Sequence, residues 1–357
     1  MVLSRYLPNK TLIWKELKTD WLLIGVFWIY VTFTSSFLLF RAISSILDAL
    51  KIGHPIHGTA YIFMHEISRV VFLKNEPACF ILTILVICMA AAMFGLERQR
   101  NTFSLLLAMP YSRRDMLYNK FIVGLGQLLI IFALNAAVMT LLVRVNPGLS
   151  FPFNTMDVWA WALQNIIILG YIFTFTMLIS SISGTVLGNG LLSLIFLFFP
   201  LGLWTLVNFN IGIWMDSLPY FLFEIQNEIQ DIVMAMTVPF YLIANKNAFG
   251  QLNLNLPLAY GIMLVLSGVI YKLTQFLFAR NQLENNGKVL MFERLEGFFK
   301  LGVVFCFTLL GVPIIVHFFN LNPPQRSMST AYIFIYLLLG AVSWWFINWL
   351  IKWRRMA

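Results

Sequence analysis

Apolar residues in this chain come in long blocks separated by short polar stretches, with no two-residue alternation. Eight blocks stand out, at 21–40, 78–95, 121–143, 159–183, 190–210, 257–278, 301–319 and 331–351. Each is close to or above the roughly 20 residues that a helix needs to cross a bilayer core. Helices are predicted for all eight, because in lipid a single segment must satisfy its own backbone hydrogen bonds. The predicted fold is an all-α polytopic membrane protein with about eight transmembrane helices.

The polar stretches orient the blocks. With the N-terminus in the cytoplasm, the inner connections hold sixteen Lys and Arg and the outer ones seven, with Lys272 at the inner end of the sixth block. Positive residues favour the cytoplasmic side, so both termini are expected there. Composition agrees, with 60% hydrophobic and 11% charged residues; a soluble domain is nearer a quarter charged. The net charge of +9 could suggest a nucleic-acid partner. Its spread over four inner pieces removes that reading and makes lipid headgroups the expected anions. The first block follows no short signal core or cleavage site and reads as an uncleaved anchor.

Shorter apolar stretches carry the remaining pattern. Residues 1–20 include "NKTLIWKELKTDW", in which Trp14, Lys15 and Glu16 fall within a predicted interfacial helix with lysines toward headgroups. The outer connection 211–256 holds "LPYFLFEI" and "IVMAMTVPFYLIA" around Pro219 and Pro239, too short to span and suited to amphipathic or re-entrant helices. The inner connection 281–300 alternates in sign and reads as a solvated helix or loop. Between the second and third blocks, "ERQRNTFSLLLAMPYSRR" places an apolar stretch, 103–109, among arginines. Asn101 and Thr102 can cap a helix there and Pro110 stops it. A short apolar helix flanked by Arg98, Arg100, Arg113 and Arg114 suits docking of a soluble partner at the inner face; a plain positive-inside loop is the simpler alternative.

The chemistry is mostly absence. No GxxxxGK[ST] occurs, so ATP-driven work requires a separate subunit. The middles of the blocks hold no ionisable residue, which weakens an ion-coupled carrier. Uncharged polar groups do occur there, Gln127, Asn135, Gln164, Asn165, Thr174, Ser180, Ser181 and Ser183, as does Pro200; helix packing is their commoner role, substrate contact the sharper one. His54, His57, His65 and Glu66 lie in one outer connection without the spacing of a zinc site, and no metal is expected. Cys79, Cys88 and Cys306 are odd in number and sit in apolar blocks, as packing residues. A membrane enzyme would have only the outer set of His54, His57, His65, Glu66 and Arg69 to work with.

The segment from Glu97 to Lys120 resembles the corresponding segment in permease subunits of ABC transporters of the ABC-2 type. That family joins its second and third spans by a stretch similar to E-x-x-x-G-T-x-x-x-L-L-x-x-P-x-S-R followed by Lys. Here Glu97, Thr102, Leu105, Leu106, Pro110, Ser112, Arg113 and Lys120 stand in matching order, with Asn101 in place of Gly. The resemblance implies a connecting helix at 1–20, a transmembrane core at 21–280 with a coupling segment at 96–120 and an outer cap at 211–256, an inner connection at 281–300, and two extra helices at 301–357. The extra pair resembles the arrangement in some Gram-positive permeases, which implies a multi-pass protein of a bacterial cytoplasmic membrane.

The resemblance also implies an ATP-driven exporter of a hydrophobic or amphipathic substrate. ATPase subunits would dock on Glu97, Asn101, Thr102, Leu105, Leu106, Pro110, Ser112 and Arg113, and would themselves hold ATP and Mg, so this chain carries no cofactor. A second permease, identical or paralogous, would complete the path, to which Asn135, Asn165, Pro200 and Asn208 are assigned as path or packing residues. An ion-coupled secondary transporter and a polytopic membrane enzyme with an outer-face site remain as alternatives.

Overall fold

A computed structural model describes residues 10–51, 68–99, 112–147, 149, 151–214, 219–243, 255–280, 293–319 and 329–356. Among these, the regular elements are all helical. They are α1 (Lys10–Thr32), a π-helical turn (Phe33–Phe37), α2 (Leu38–Lys51), α3 (Glu76–Gln99), α4 (Arg113–Val145), α5 (Thr155–Ile182), α6 (Val186–Trp214), α7 (Tyr220–Met236), a 3-10 turn (Val238–Leu242), α8 (Leu256–Arg280), α9 (Glu293–Phe318) and α10 (Ser329–Met356). Eight helices are long and apolar enough to span a membrane. Seven of the eight blocks lie within single helices whose ends run past them or stop within a residue, because the polar residues at the block ends are also good helix formers.

The first block differs. The π turn lets α1 run into α2 without a break, so the predicted interfacial segment is the first part of one long helix. Nothing between Lys10 and Trp21 interrupts it, neither Gly nor Pro. Trp14 is 64% exposed and carries Lys18 Nζ 4.9 Å above its ring, a cation–π pair of the kind favoured at wet interfaces.

The contacts divide the chain into two units, Met1–Leu197 with Val238–Met291, and Phe198–Thr237 with Phe292–Ala357. In the first, α5 is the central helix, packed by α3, α4, α8 and the 3-10 turn, while α1 packs on α3 and α4. Its sequence is apolar on all sides, as a helix surrounded by others requires. Close approach depends on two glycines. A Cβ at Gly95 would lie 2.7 Å from Val186 Cα, and one at Gly124 would lie 2.0 Å from Phe173 Cζ. A run of rings, Phe27, Phe132, Trp161, Phe72 and Phe153, meets edge to face, and Trp161 Nε1 donates to the Phe72 carbonyl at 2.7 Å. The thiol of Cys79 donates to the Pro239 carbonyl at 3.0 Å, and Gln164 to that of Tyr241 at 2.8 Å, so both side chains hold the 3-10 turn.

In the second unit α9 packs along α10. Asn210 donates to the carbonyls of Leu206 and Leu309 and accepts from the Tyr336 hydroxyl, while Trp214 Nε1 donates to that hydroxyl at 3.3 Å. The connection between α6 and α8 contains α7, whose Glu224, Glu228 and Asp231 recur at helical spacing beside exposed Tyr220, Phe221 and Phe223.

Candidate functional site: an ion cluster beside segment 100–111

Segment 100–111 lies outside the described residues, and with it Asn101, Thr102, Leu105, Leu106 and Pro110. Its two flanks are described. On the far side Ser112 caps α4: its hydroxyl accepts from Asp115 N at 3.1 Å, and its own N–H donates to Asp115 Oδ2 at 3.3 Å. This reciprocal Ser-x-x-Asp arrangement satisfies orphan amides at the helix start. Arg113 donates to the carbonyls of Phe278 and Ala279, both at 3.4 Å. There it completes the carbonyl end of α8, where a cation is favoured.

On the near side, α3 ends with Glu97 buried at 4% exposure. It meets three more charged side chains. Lys120, two turns into α4 and 1% exposed, places Nζ 2.9 Å from Glu97 Oε1, 2.9 Å from Glu16 Oε2 and 2.5 Å from the Met93 carbonyl. Those three acceptors use all the protons of its ammonium group. The same nitrogen lies 5.6 Å above the Phe94 ring. Lys15 closes the ring of charges, donating to Glu97 and lying 3.2 Å from Glu16 Oε1. One turn along α1 from Glu16, Asp20 is 1% exposed, and both its oxygens are buried without a hydrogen-bond partner.

The cluster therefore pins α1 to both helices that emerge around segment 100–111. Lys15 stays partly exposed, but taking Glu16, Glu97 and Lys120 out of water costs several kcal/mol each, offset only where every donor and acceptor is met. Lys120 meets that condition fully. Lys120 and Lys15 count toward the inner positive excess in the sequence, but their charge is neutralised by Glu97 and Glu16 within the chain.

The other proposed residues are placed as follows. Asn135 is 3% exposed; it donates to the Ile131 carbonyl at 2.9 Å, and its oxygen accepts from the Ser36 hydroxyl at 2.5 Å. Asn165, also 3% exposed, donates to the Trp161 carbonyl. Both amides are engaged inside the first unit. Pro200 lies within α6, and the half-exposed Asn208 accepts from Gln226 Nε2 at 3.1 Å. Cys79 is buried and Cys306 half-buried, but Cys88 is exposed, so it does not pack inside the chain as expected. His54, His57, His65 and Glu66 lie outside the described residues.

Sequence reasoning named Glu97, Lys15, Glu16 and Lys120 separately and did not bring them together. It missed Asp20, which reads as a flank of the first block. The signal was the four-residue spacing of Glu16 and Asp20 on one helix face.

A family model described as an ABC-2 family transporter protein matches residues 26–203, half of the chain. No curated protein and no solved structure gives a match. The matched stretch runs from the first span into the fifth and contains α3, segment 100–111 and α4. With that match, and with eight helices among the described residues long and apolar enough to cross a membrane, the chain is a membrane permease belonging to the ABC-2 family of transporter proteins.

Proposed function

We propose that this permease exports a hydrophobic or amphipathic substrate, such as a lipid, a peptide antibiotic or a drug, across a bacterial cytoplasmic membrane. Two ATPase subunits that bind ATP and Mg drive it, gripping segment 100–111 and the start of α1. A second permease, identical or paralogous, pairs with it to enclose the path. The observation that carries this reading is the buried cluster of Lys15, Glu16, Glu97 and Lys120. It ties α1 to both flanks of the segment, so a push on 100–111 reaches three helices together.

A push changes a two-state equilibrium only by the difference in interaction with the two states. A segment whose flanks are fixed by charge pairs delivers displacement to the helices instead of dissipating it in loop motion. The uncharged block middles favour an apolar cargo over an ion.

The test is co-purification of the full-length chain with a P-loop ATPase from the same cells. Leu105→Asp with Leu106→Asp is expected to abolish the association and ATP-dependent transport while the permease itself still accumulates in the membrane. Retained association in that variant, or transport driven by an ion gradient without ATP, would overturn the reading.

A further inference from the structure

Asp20 is the unmet member of the inner cluster. Lys120 has no proton left for it, since Glu16, Glu97 and the Met93 carbonyl take all three. Lys15 is engaged by Glu97 and Glu16. Among the described side chains Asp20 lies within electrostatic reach of Lys120, Glu16, Glu97 and Lys15, so three carboxylates there face two ammonium groups. These are the charged groups that the described side chains of α1, α3 and α4 bring to it; the π turn Phe33–Phe37 contributes no titratable side chain. An ionised carboxylate buried without a donor is among the costliest arrangements in a folded chain, and such a group neutralises instead.

Asp20 immediately precedes the first membrane-crossing block, at its cytoplasmic end under the charge rule. Burial pushes its carboxyl up to about 7; Lys120 opposes the rise, Glu16 and Glu97 add to it, and Lys15 opposes it again.

We propose that Asp20 is a proton-binding site of the permease, occupied when α1 is seated against α3 and α4 and emptied toward the cytoplasm. With the proton bound, two ionised carboxylates, Glu16 and Glu97, face the ammonium groups of Lys15 and Lys120. Release adds one negative charge beside them at the junction of three helices and weakens the seat of α1. Proton occupancy at the inner face therefore sets how firmly the coupling hairpin is anchored. The inference concerns this chain alone and stands whether or not an ATPase grips segment 100–111.

The sign of the pH dependence follows from linkage. The folded state holds the proton to a higher pH than the unfolded chain does, so between about pH 4 and about pH 7 the folded state binds more protons. Stability from this group is present below that window and is lost as pH rises through it, by about tenfold in the folding equilibrium per pH unit.

Two measurements on the full-length chain in lipid nanodiscs test this. Infrared difference spectra between about pH 6 and about pH 8 are expected to show a carboxylic-acid C=O band in the wild type that disappears at the higher pH and is missing in Asp20→Asn. Thermal unfolding is expected to show a wild-type midpoint that falls across the same interval while the Asp20→Asn midpoint stays level, the variant being the more stable at the higher pH. A wild-type spectrum without the band overturns the proposal even if the variant fails to accumulate. So does a band that persists in Asp20→Asn, or an equal fall of both midpoints.

Discussion

Lys120 illustrates how little the type of a residue says about its role. In the sequence it is one of many inner positive charges; in the fold it is 1% exposed and bonded to Glu16, Glu97 and Met93. Removing one member of a buried charge set leaves the others uncompensated and costs about 3–5 kcal/mol. Lys120→Met keeps most of the volume and removes the charge, so it is expected to lose stability in that range, read as a fall in unfolding midpoint in nanodiscs. Glu16→Gln removes one carboxylate but leaves Lys120 its bonds to Glu97 and Met93. Its cost should be nearer the about 1.5–3 kcal/mol of a single charged hydrogen bond. Equal effects, or a silent Lys120→Met, would show that the cluster does not hold α1.

At the scale of helices, the blocks of apolar residues were enough to locate every span, because the bilayer demands length and apolarity and little else. Helix ends and contacts between helices were less legible. The continuity of α1 through the π turn into α2 leaves no mark in composition, and the charge pairs join residues as distant in sequence as Glu16 and Lys120. The Ser112 cap was not read from the sequence, because a Ser-x-x-Asp pattern has meaning only once the start of α4 is known.

Two glycines separate these kinds of information further. Gly95 and Gly124 look alike in sequence, yet a methyl group at Gly124 meets the end of the Phe173 ring, while one at Gly95 meets the Val186 backbone. Both Gly→Ala variants should lose about 1–3 kcal/mol by overpacking. A second change, Phe173→Leu, is expected to recover part of the loss at Gly124, whereas Val186→Ala should recover little at Gly95, because the Cα of residue 186 remains in place. Double-mutant cycles on the unfolding midpoint read the difference, and equal rescue at both sites would contradict the packing described.

For the whole molecule, the two units predict where stability divides. The family match ends at residue 203, close to the unit boundary after Leu197. The segment 198–214 of α6 belongs to the second unit, where Asn210 and Trp214 bond to α9 and α10. Removing residues 292–357 takes away the Leu309 carbonyl and the Tyr336 hydroxyl, leaving the Asn210 side chain with only its own helix and the Trp214 indole without its partner. In lipid such bonds are worth about 0.6–2 kcal/mol each, enough to loosen a helix half but not the bundle around α5. Hydrogen exchange on the truncated chain in nanodiscs should therefore show protection retained in α3 and α5 and reduced in 198–214. Protection lost throughout would mean that the added helices support the core itself, and that the segment outside the family match is integral to the fold.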